Sequence, residues 1–209
     1  PQGMRHASAR LPRYGTYHPA VPADIADLVL DLSPSVIADA EHASNEIARF
    51  DAELGGETAP FAAVLLRSES AASSQIENLT ASARAIAEAE LPGGRGKRNA
   101  EMVVANTAAM QAAVALSDKV DANAILTMHR PLMINEPRHT PGAFRAEPVW
   151  IGGGSTPVGA TFVGPRHALI PGAIDDLIAF AQRNDVPTLP QIAVAHAQFE
   201  TIHPFTDGN

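Results

Sequence analysis

Cysteine does not occur among the 209 residues. Disulfides, thiolate catalysis and cysteine-bound zinc are therefore excluded. Aromatic side chains are scarce, at 5% of the chain, and alanine crowds its middle. Small side chains let helices approach closely, so the composition favours helix packed on helix. Positive charge is also short: 15 Lys and Arg face 23 Asp and Glu, a formal net charge of −8. A general nucleic-acid binder carries a basic face, so no nucleic-acid partner is expected through this segment. No apolar run approaches the ~20 residues of a membrane span. Behind the charges of the N-terminus there is no apolar stretch of the signal-peptide kind. The expectation is a soluble, cytoplasmic protein with no membrane partner.

Apolar residues make up 45% of the chain, enough for a packed core. Residues 1–22 are rich in Pro, Arg and Tyr and show no helical period. They read as an extended arm on the domain or as a disordered end. Ser33-Pro34 is a helix start, a capping hydroxyl followed by proline in the first turn. That helix is expected to reach Leu54, with Val36, Ile37, Ala40, Ile47, Phe50 and Leu54 as its apolar stripe. Gly55-Gly56 is expected to end it. A short helix is expected over 60–67 and another over the serine-rich stretch 68–78. Serines compete for the backbone, so such a helix is either exposed or holds something with its hydroxyls. Asn78 suits a left-handed helix C-terminus. Further helices are expected over 82–91, 99–116, 121–133, 166–182 and 191–202, the last with Ile192, Ala195, Phe199 and Ile202 inward.

The loop at 92–97 is the best internal boundary and divides the chain into regions 1–92 and 93–209. Between 134 and 165 the helical period breaks. Val149-Trp150-Ile151 and Ala160-Thr161-Phe162-Val163 are β-prone and flank Gly152-Gly153-Gly154, which reads as a hairpin. A single hairpin in a helical protein is no structural sheet. A flap over a cleft suits it better.

The last helix runs into His203-Pro204, and a polar loop follows from Phe205 to Asn209. Proline disfavours the α conformation at His203, so the helix should end there. His203 has a reference pKa near ~6.5 and can serve as a general base. Asp207 is either a turn former or a ligand for a hard cation such as Mg²⁺. Gly208 frees the backbone to approach a ligand, and consecutive N–H groups there form an anion nest. Base, metal and nest together match phosphoryl or nucleotidyl transfer. A rival reading takes His196, Glu200 and His203 as metal ligands, but the pattern His-Glu-x-x-His is missing. Serine hydrolysis lacks its Gly-x-Ser-x-Gly elbow.

The run His203-Pro204-Phe205-Thr206-Asp207-Gly208-Asn209 resembles the signature of Fic-domain proteins, His-Pro-Phe-x-Asp/Glu-Gly-Asn-Gly/Lys-Arg. His196-Ala-Gln-Phe199-Glu200-Thr-Ile202 is similar to the helix that leads into it. Ser73-Ser-Gln-Ile-Glu77-Asn78 resembles the family's inhibitory motif, Ser/Thr-x-x-x-Glu-Gly/Asn. Gly142-Ala-Phe-Arg145, Val149-Trp-Ile-Gly152 and Ala160-Thr-Phe-Val163 are similar to the flap region. The resemblance implies an all-α fold, a Fic-fold helical bundle with a small β-hairpin flap. Residues 1–92 would carry the inhibitory motif and 93–209 the catalytic core.

The activity that the resemblance implies is transfer of AMP from ATP to a Ser, Thr or Tyr hydroxyl of a target protein. His203 would deprotonate the hydroxyl. Asp207 would hold Mg²⁺ on the nucleotide phosphates. Gly208 and Asn209 would line the anion hole, while Pro204 and Phe205 support the loop. Val149, Trp150, Ile151, Thr161, Phe162 and Val163 would dock the target by strand addition. Glu77, with Ser73 and Asn78 beside it, would pair with an arginine for the γ-phosphate and hold the enzyme off. The signature's arginines would lie beyond Asn209. If the 209 residues were the whole polypeptide, weak or no transfer and an exposed apolar surface would be expected. Removal of AMP, transfer of UMP, phosphate or phosphocholine, and a non-catalytic nucleotide-binding module are the alternatives. A homodimer is left open.

Overall fold

Hydroxyl and carboxylate caps mark where the helices begin. Ser82 accepts the Ala85 N–H at 3.2 Å and opens α3, Ala83–Ala89. Asp121 accepts the Ala124 N–H at 2.7 Å and opens α5, Ala122–Met133. Each satisfies one donor that the first helical turn leaves free. The computed structural model describes residues 14–58, 61–76, 78–91, 97–136 and 138–209, without side chains at 55–58. Among them are seven α-helices and one two-stranded antiparallel sheet. The remaining helices are α1 (Pro34–Thr58), α2 (Ala62–Ile76), α4 (Arg98–Ala115), α6 (Ile170–Ala181) and α7 (Thr188–Ile202). No helix among the described residues is long and apolar enough to cross a membrane. The all-α expectation is met.

Two helical groups share the molecule. In one, α4 packs between α2 with α3 and α5; in the other, α6 pairs with α7, and α5 touches α6. Ile86, Ala100 and Val103 form the first apolar cluster. Ile25, Ile170, Ile174, Leu177, Phe180 and Ile202 form the second, larger one.

Several element boundaries differ from expectation. Residues 62–76 are one helix, not two. Its serines explain why. Ser70 and Ser74 are buried, and Ser70 donates its hydroxyl to the Val103 carbonyl at 3.0 Å while Ser74 back-bonds to the Ser70 carbonyl at 2.7 Å. The hydroxyls thus find acceptors inside the α2–α4 contact, where small side chains let the backbones come close. Helix α1 continues past Gly55-Gly56 to Thr58. The glycines cost roughly 1 kcal/mol each in helix propensity without stopping it. Its stripe residues Val36, Ile37, Ile47, Phe50 and Leu54 are exposed.

Helix α7 starts at Thr188 rather than Gln191, with Pro190 accommodated in its first turn. Ile192 is exposed rather than inward, because glutamines take the buried line. Gln191 donates to the carbonyls of Phe180 at 2.8 Å and Arg183 at 2.9 Å, closing the C-terminus of α6. Gln198 donates to the Ala23 carbonyl at 2.6 Å.

The N-terminal segment from residue 14 is an extended arm. The N–H groups of Ile25 and Ala26 donate to the Asp176 carboxylate at 2.7 and 3.0 Å. Arg183 donates to the carbonyls of Ala26 and Leu28 at 3.2 and 2.7 Å. Replacing Asp176 by alanine strands two partly buried donors, each worth about 1–3 kcal/mol. Asp176→Ala is expected to lower stability to urea by that order and to expose the arm amides to exchange. Unchanged exchange at residues 25 and 26 would contradict this.

Candidate functional site

The turn of chain after α7 is made by an unusual residue. His203 has φ 47 and ψ 63, the left-handed region, which costs a side-chain-bearing residue about 1–3 kcal/mol. Pro204 removes the α conformation at His203. The left-handed turn is the solution that lets the His203 N–H still donate to the Phe199 carbonyl at 2.9 Å. Arg145 secures it by donating Nε–H to the His203 carbonyl at 2.7 Å.

The His203 ring is half-buried, and its Nδ1 has no hydrogen-bond partner among the described residues. Glu200 Oε2 lies 4.0 Å from that nitrogen. Burial pushes the imidazole below its usual pKa, Glu200 and Asp207 oppose the shift, and Arg145 adds to it. The ring is therefore neutral at neutral pH and able to accept a proton.

Phe205 turns back into the protein and is 2% exposed. Its ring stacks flat on His129 at 3.7 Å and meets Phe144 and Phe199 at 5.7 and 6.4 Å. Asn209 closes the loop with its amide: Oδ1 accepts the Phe205 N–H at 2.8 Å and Nδ2 donates to the Phe205 carbonyl at 3.2 Å. Asn209 thus shapes the loop as well as ending it. Gly208 has φ +71, and a Cβ there would fall 2.6 Å from Met133 and 2.8 Å from Leu132. Those side-chain ends on α5 could give way, but the left-handed backbone itself favours glycine here.

Asp207 is exposed, and its Oδ1 accepts the Gly208 N–H at 2.9 Å. Its Oδ2 lies 3.6 Å from His139 Nε2. A single solvent-facing carboxylate suits Mg²⁺, which takes one or two protein carboxylates and completes its shell with phosphate and water. Among the described residues no group of three or more His, Asp or Glu side chains could hold a metal ion. The alternative set of His196, Glu200 and His203 is not assembled.

The far end of this loop and the end of α2 meet. Ser73, Ser74 and Leu79 line a cavity of about 130 Å³ together with Asp207, Gly208 and Asn209. Helix α2 closes in a Schellman arrangement: the Leu79 N–H donates to the Ser74 carbonyl at 2.9 Å and the Asn78 N–H to Gln75 at 3.0 Å. Asn78 is left-handed, with φ 60, as its residue type suggests. Glu77 lies outside the described residues.

The hairpin is short: β1 is Trp150–Ile151 and β2 is Phe162–Val163. Trp150 pairs with Val163 and Ile151 with Phe162. Val149 and Gly164 extend the ladder through a 2.9 Å bond. Ile151 and Thr161 are exposed, Val149, Trp150 and Phe162 are intermediate, and Val163 is buried. The outer edge of β2 receives the arm, since the Ala20 N–H donates to the Val163 carbonyl at 2.9 Å.

Two residues at the site escaped the sequence reading, His129 and His139, and a third, Arg145, entered it only as part of a flap-like run. His129 bridges two loops: the Gly142 N–H donates to its Nδ1 at 2.9 Å, so its Nε2 carries the proton and donates to the Asp207 carbonyl at 3.0 Å. Burial lowers its pKa and favours that neutral form. His139 Nδ1 lies 2.8 Å from the Thr206 hydroxyl. Arg145 is buried under the histidine turn. A polar residue on the apolar face of α5 was the signal for His129. His139 carried none, and Arg145 stood only in the run Gly142-Ala-Phe-Arg145.

Residues 119–209 match the model of the Fic/DOC family. The chain is also similar in fold to a crystal structure of a Fic family protein from Desulfovibrio desulfuricans G20, with a TM-score of 0.67 and 22% identity. That likeness covers 92% of this chain and 56% of the other, so the chain spans little more than half of its structural relative. Among curated proteins none matches.

Proposed function

We propose that the protein is a phosphate-group transferase of the Fic/DOC type, whose family model residues 119–209 match, and specifically one that transfers AMP from ATP to a hydroxyl of a target protein in the cytoplasm. The observation that carries the reading is the loop from His203 to Asn209. It joins a neutral histidine with an unpartnered ring nitrogen, an exposed carboxylate and a glycine turn. His203 takes the proton of the target hydroxyl as its oxygen bonds to the α-phosphorus of ATP. The bond from that phosphorus to pyrophosphate breaks, and pyrophosphate leaves. Asp207 would hold Mg²⁺, whose contribution is to neutralise phosphate charge. Phe205, His129 and Asn209 keep the loop in shape.

The same reading makes the end of α2 a brake. Support comes from the cavity that Ser73 and Ser74 share with Asp207, Gly208 and Asn209. The brake itself would be Glu77, the residue of the inhibitory-like motif that follows Ile76 in sequence, where α2 ends. Coupling of this kind is worth about 5–150-fold. In the full-length protein, Glu77→Gly is expected to increase incorporation of label from ATP marked at the α-phosphate by that order. Equal incorporation by wild type, Glu77→Gly and His203→Ala would sink the proposal. Label from UTP, or from the γ-phosphate of ATP, would redirect it to another transferred group.

A further inference from the structure

The guanidinium of Arg145 is buried, and all of its acceptors among the described residues are main-chain carbonyls. Nε donates to His203 at 2.7 Å, one terminal nitrogen to Glu147 at 2.9 Å, and the other to Pro165 at 2.7 Å and Ile202 at 3.4 Å. Its own N–H donates to the Pro204 carbonyl at 2.9 Å. Glu147 and Pro165 stand on either side of the hairpin, just before β1 and just after β2. Ile202, His203 and Pro204 are the end of α7 and the start of the loop. A single side chain therefore ties both feet of the flap to the backbone on which the histidine sits.

Guanidinium is suited to this task. Its donors point in fixed, coplanar directions, whereas an ammonium is one compact charge. A cation also complements the carbonyls that a helix C-terminus leaves free. Holding His203 is demanding because its backbone is left-handed and Nδ1 makes no hydrogen bond of its own. The ring's direction is then set by the backbone carbonyls that Arg145 grips.

We propose that Arg145 is a positioning residue that clamps the feet of the flap to the carbonyls of residues 202–204 and so fixes the direction of the His203 ring. The proposal rests on the reading of His203 as the general base. Because the clamp joins flap to base, displacement of the flap by a docking target is felt at His203.

The test uses the full chain with ¹³C-labelled histidine and compares Arg145→Lys and Arg145→Gln with Asp176→Ala, a destabilised reference that removes none of the clamp's own bonds. Amide exchange at His203 and Phe205 is expected to rise about tenfold or more in both Arg145 variants and not in the reference. Glu200, Asp207 and Arg145 are the charged groups acting on the His203 ring. Its titration is expected to move upward in Arg145→Gln, where the cation is gone, and to stay near wild type in Arg145→Lys. AMP transfer should fall by about ten- to a hundredfold in kcat for both, with KM for ATP unchanged. Local exchange equal to wild type, changes matched by Asp176→Ala, or unfolding of both Arg145 variants would overturn the proposal. Altered exchange and titration in a protein that never transfers AMP would leave the clamp standing and remove the transferase reading instead.

Discussion

His203→Ala is expected to lower the proposed AMP transfer by about two to four orders of magnitude, the usual contribution of a positioned general base. The fold should survive, since the residue's backbone contacts, not its ring, tie α7 to the flap. The wild-type pH profile carries a second expectation. Burial depresses the His203 pKa below 6.5 in the folded protein. The neutral base therefore persists as pH falls to that value, and activity declines only as pH passes below it through the depressed pKa. The stability linkage has the same sign. The contribution of a neutral His203 is fully present above the unfolded value near ~6.5 and is lost as pH falls through the folded one. Initial labelling rates between about pH 5 and 8 would show the acidic limb. Circular dichroism would show whether the variant is folded. An unchanged rate in a folded His203→Ala protein removes the base from the mechanism.

Phe205→Ala is the largest stability change expected at the site. The side chain is 2% exposed and packs among His129, Phe144 and Phe199. Truncating a buried phenylalanine costs about 3–5 kcal/mol in lost transfer free energy and cavity formation. Its parallel stack on His129 at 3.7 Å is lost as well. That imidazole carries the Asp207 carbonyl on its other edge, so the variant should also weaken the proposed binding of ATP with Mg²⁺. Urea unfolding gives the first quantity and calorimetric titration the second. A loss of less than about 1 kcal/mol would mean that the loop collapses around the gap and that Phe205 is not its anchor.

Much of this site is legible in the primary structure because its parts are close in sequence. His203, Asp207 and Gly208 share one loop, and Pro204 dictates that the helix must stop before it. Asp121 and Ser82 announce their helices with caps that need no tertiary context. The merged helix α2 was not legible, because the serines that argue against it are satisfied by Val103 and by Ser70. Burial on α7 was misread at Ile192 for a similar reason. Gln191 and Gln198 are polar by type but buried by the carbonyls they serve on α6 and the arm. Arg145 is the extreme case. Three of the four carbonyls that its guanidinium grips lie 20 to 58 residues away, and no local pattern reports them.

The arm's attachments have a consequence for the order in which the molecule assembles. The bonds from Ile25 to Asp176 and from Ala23 to Gln198 join residues 151 and 175 positions apart. Contacts of such separation repay their closure entropy only after the intervening helices have condensed. Helices α6 and α7 must be paired before Asp176, Arg183 and Gln198 present a common face. The segment that precedes the described helices is thus expected to be the last to dock. The Asp176→Ala variant should show its cost as faster unfolding, with the folding rate little changed. Residues 20–28 should then behave kinetically as a latch drawn across helices already packed.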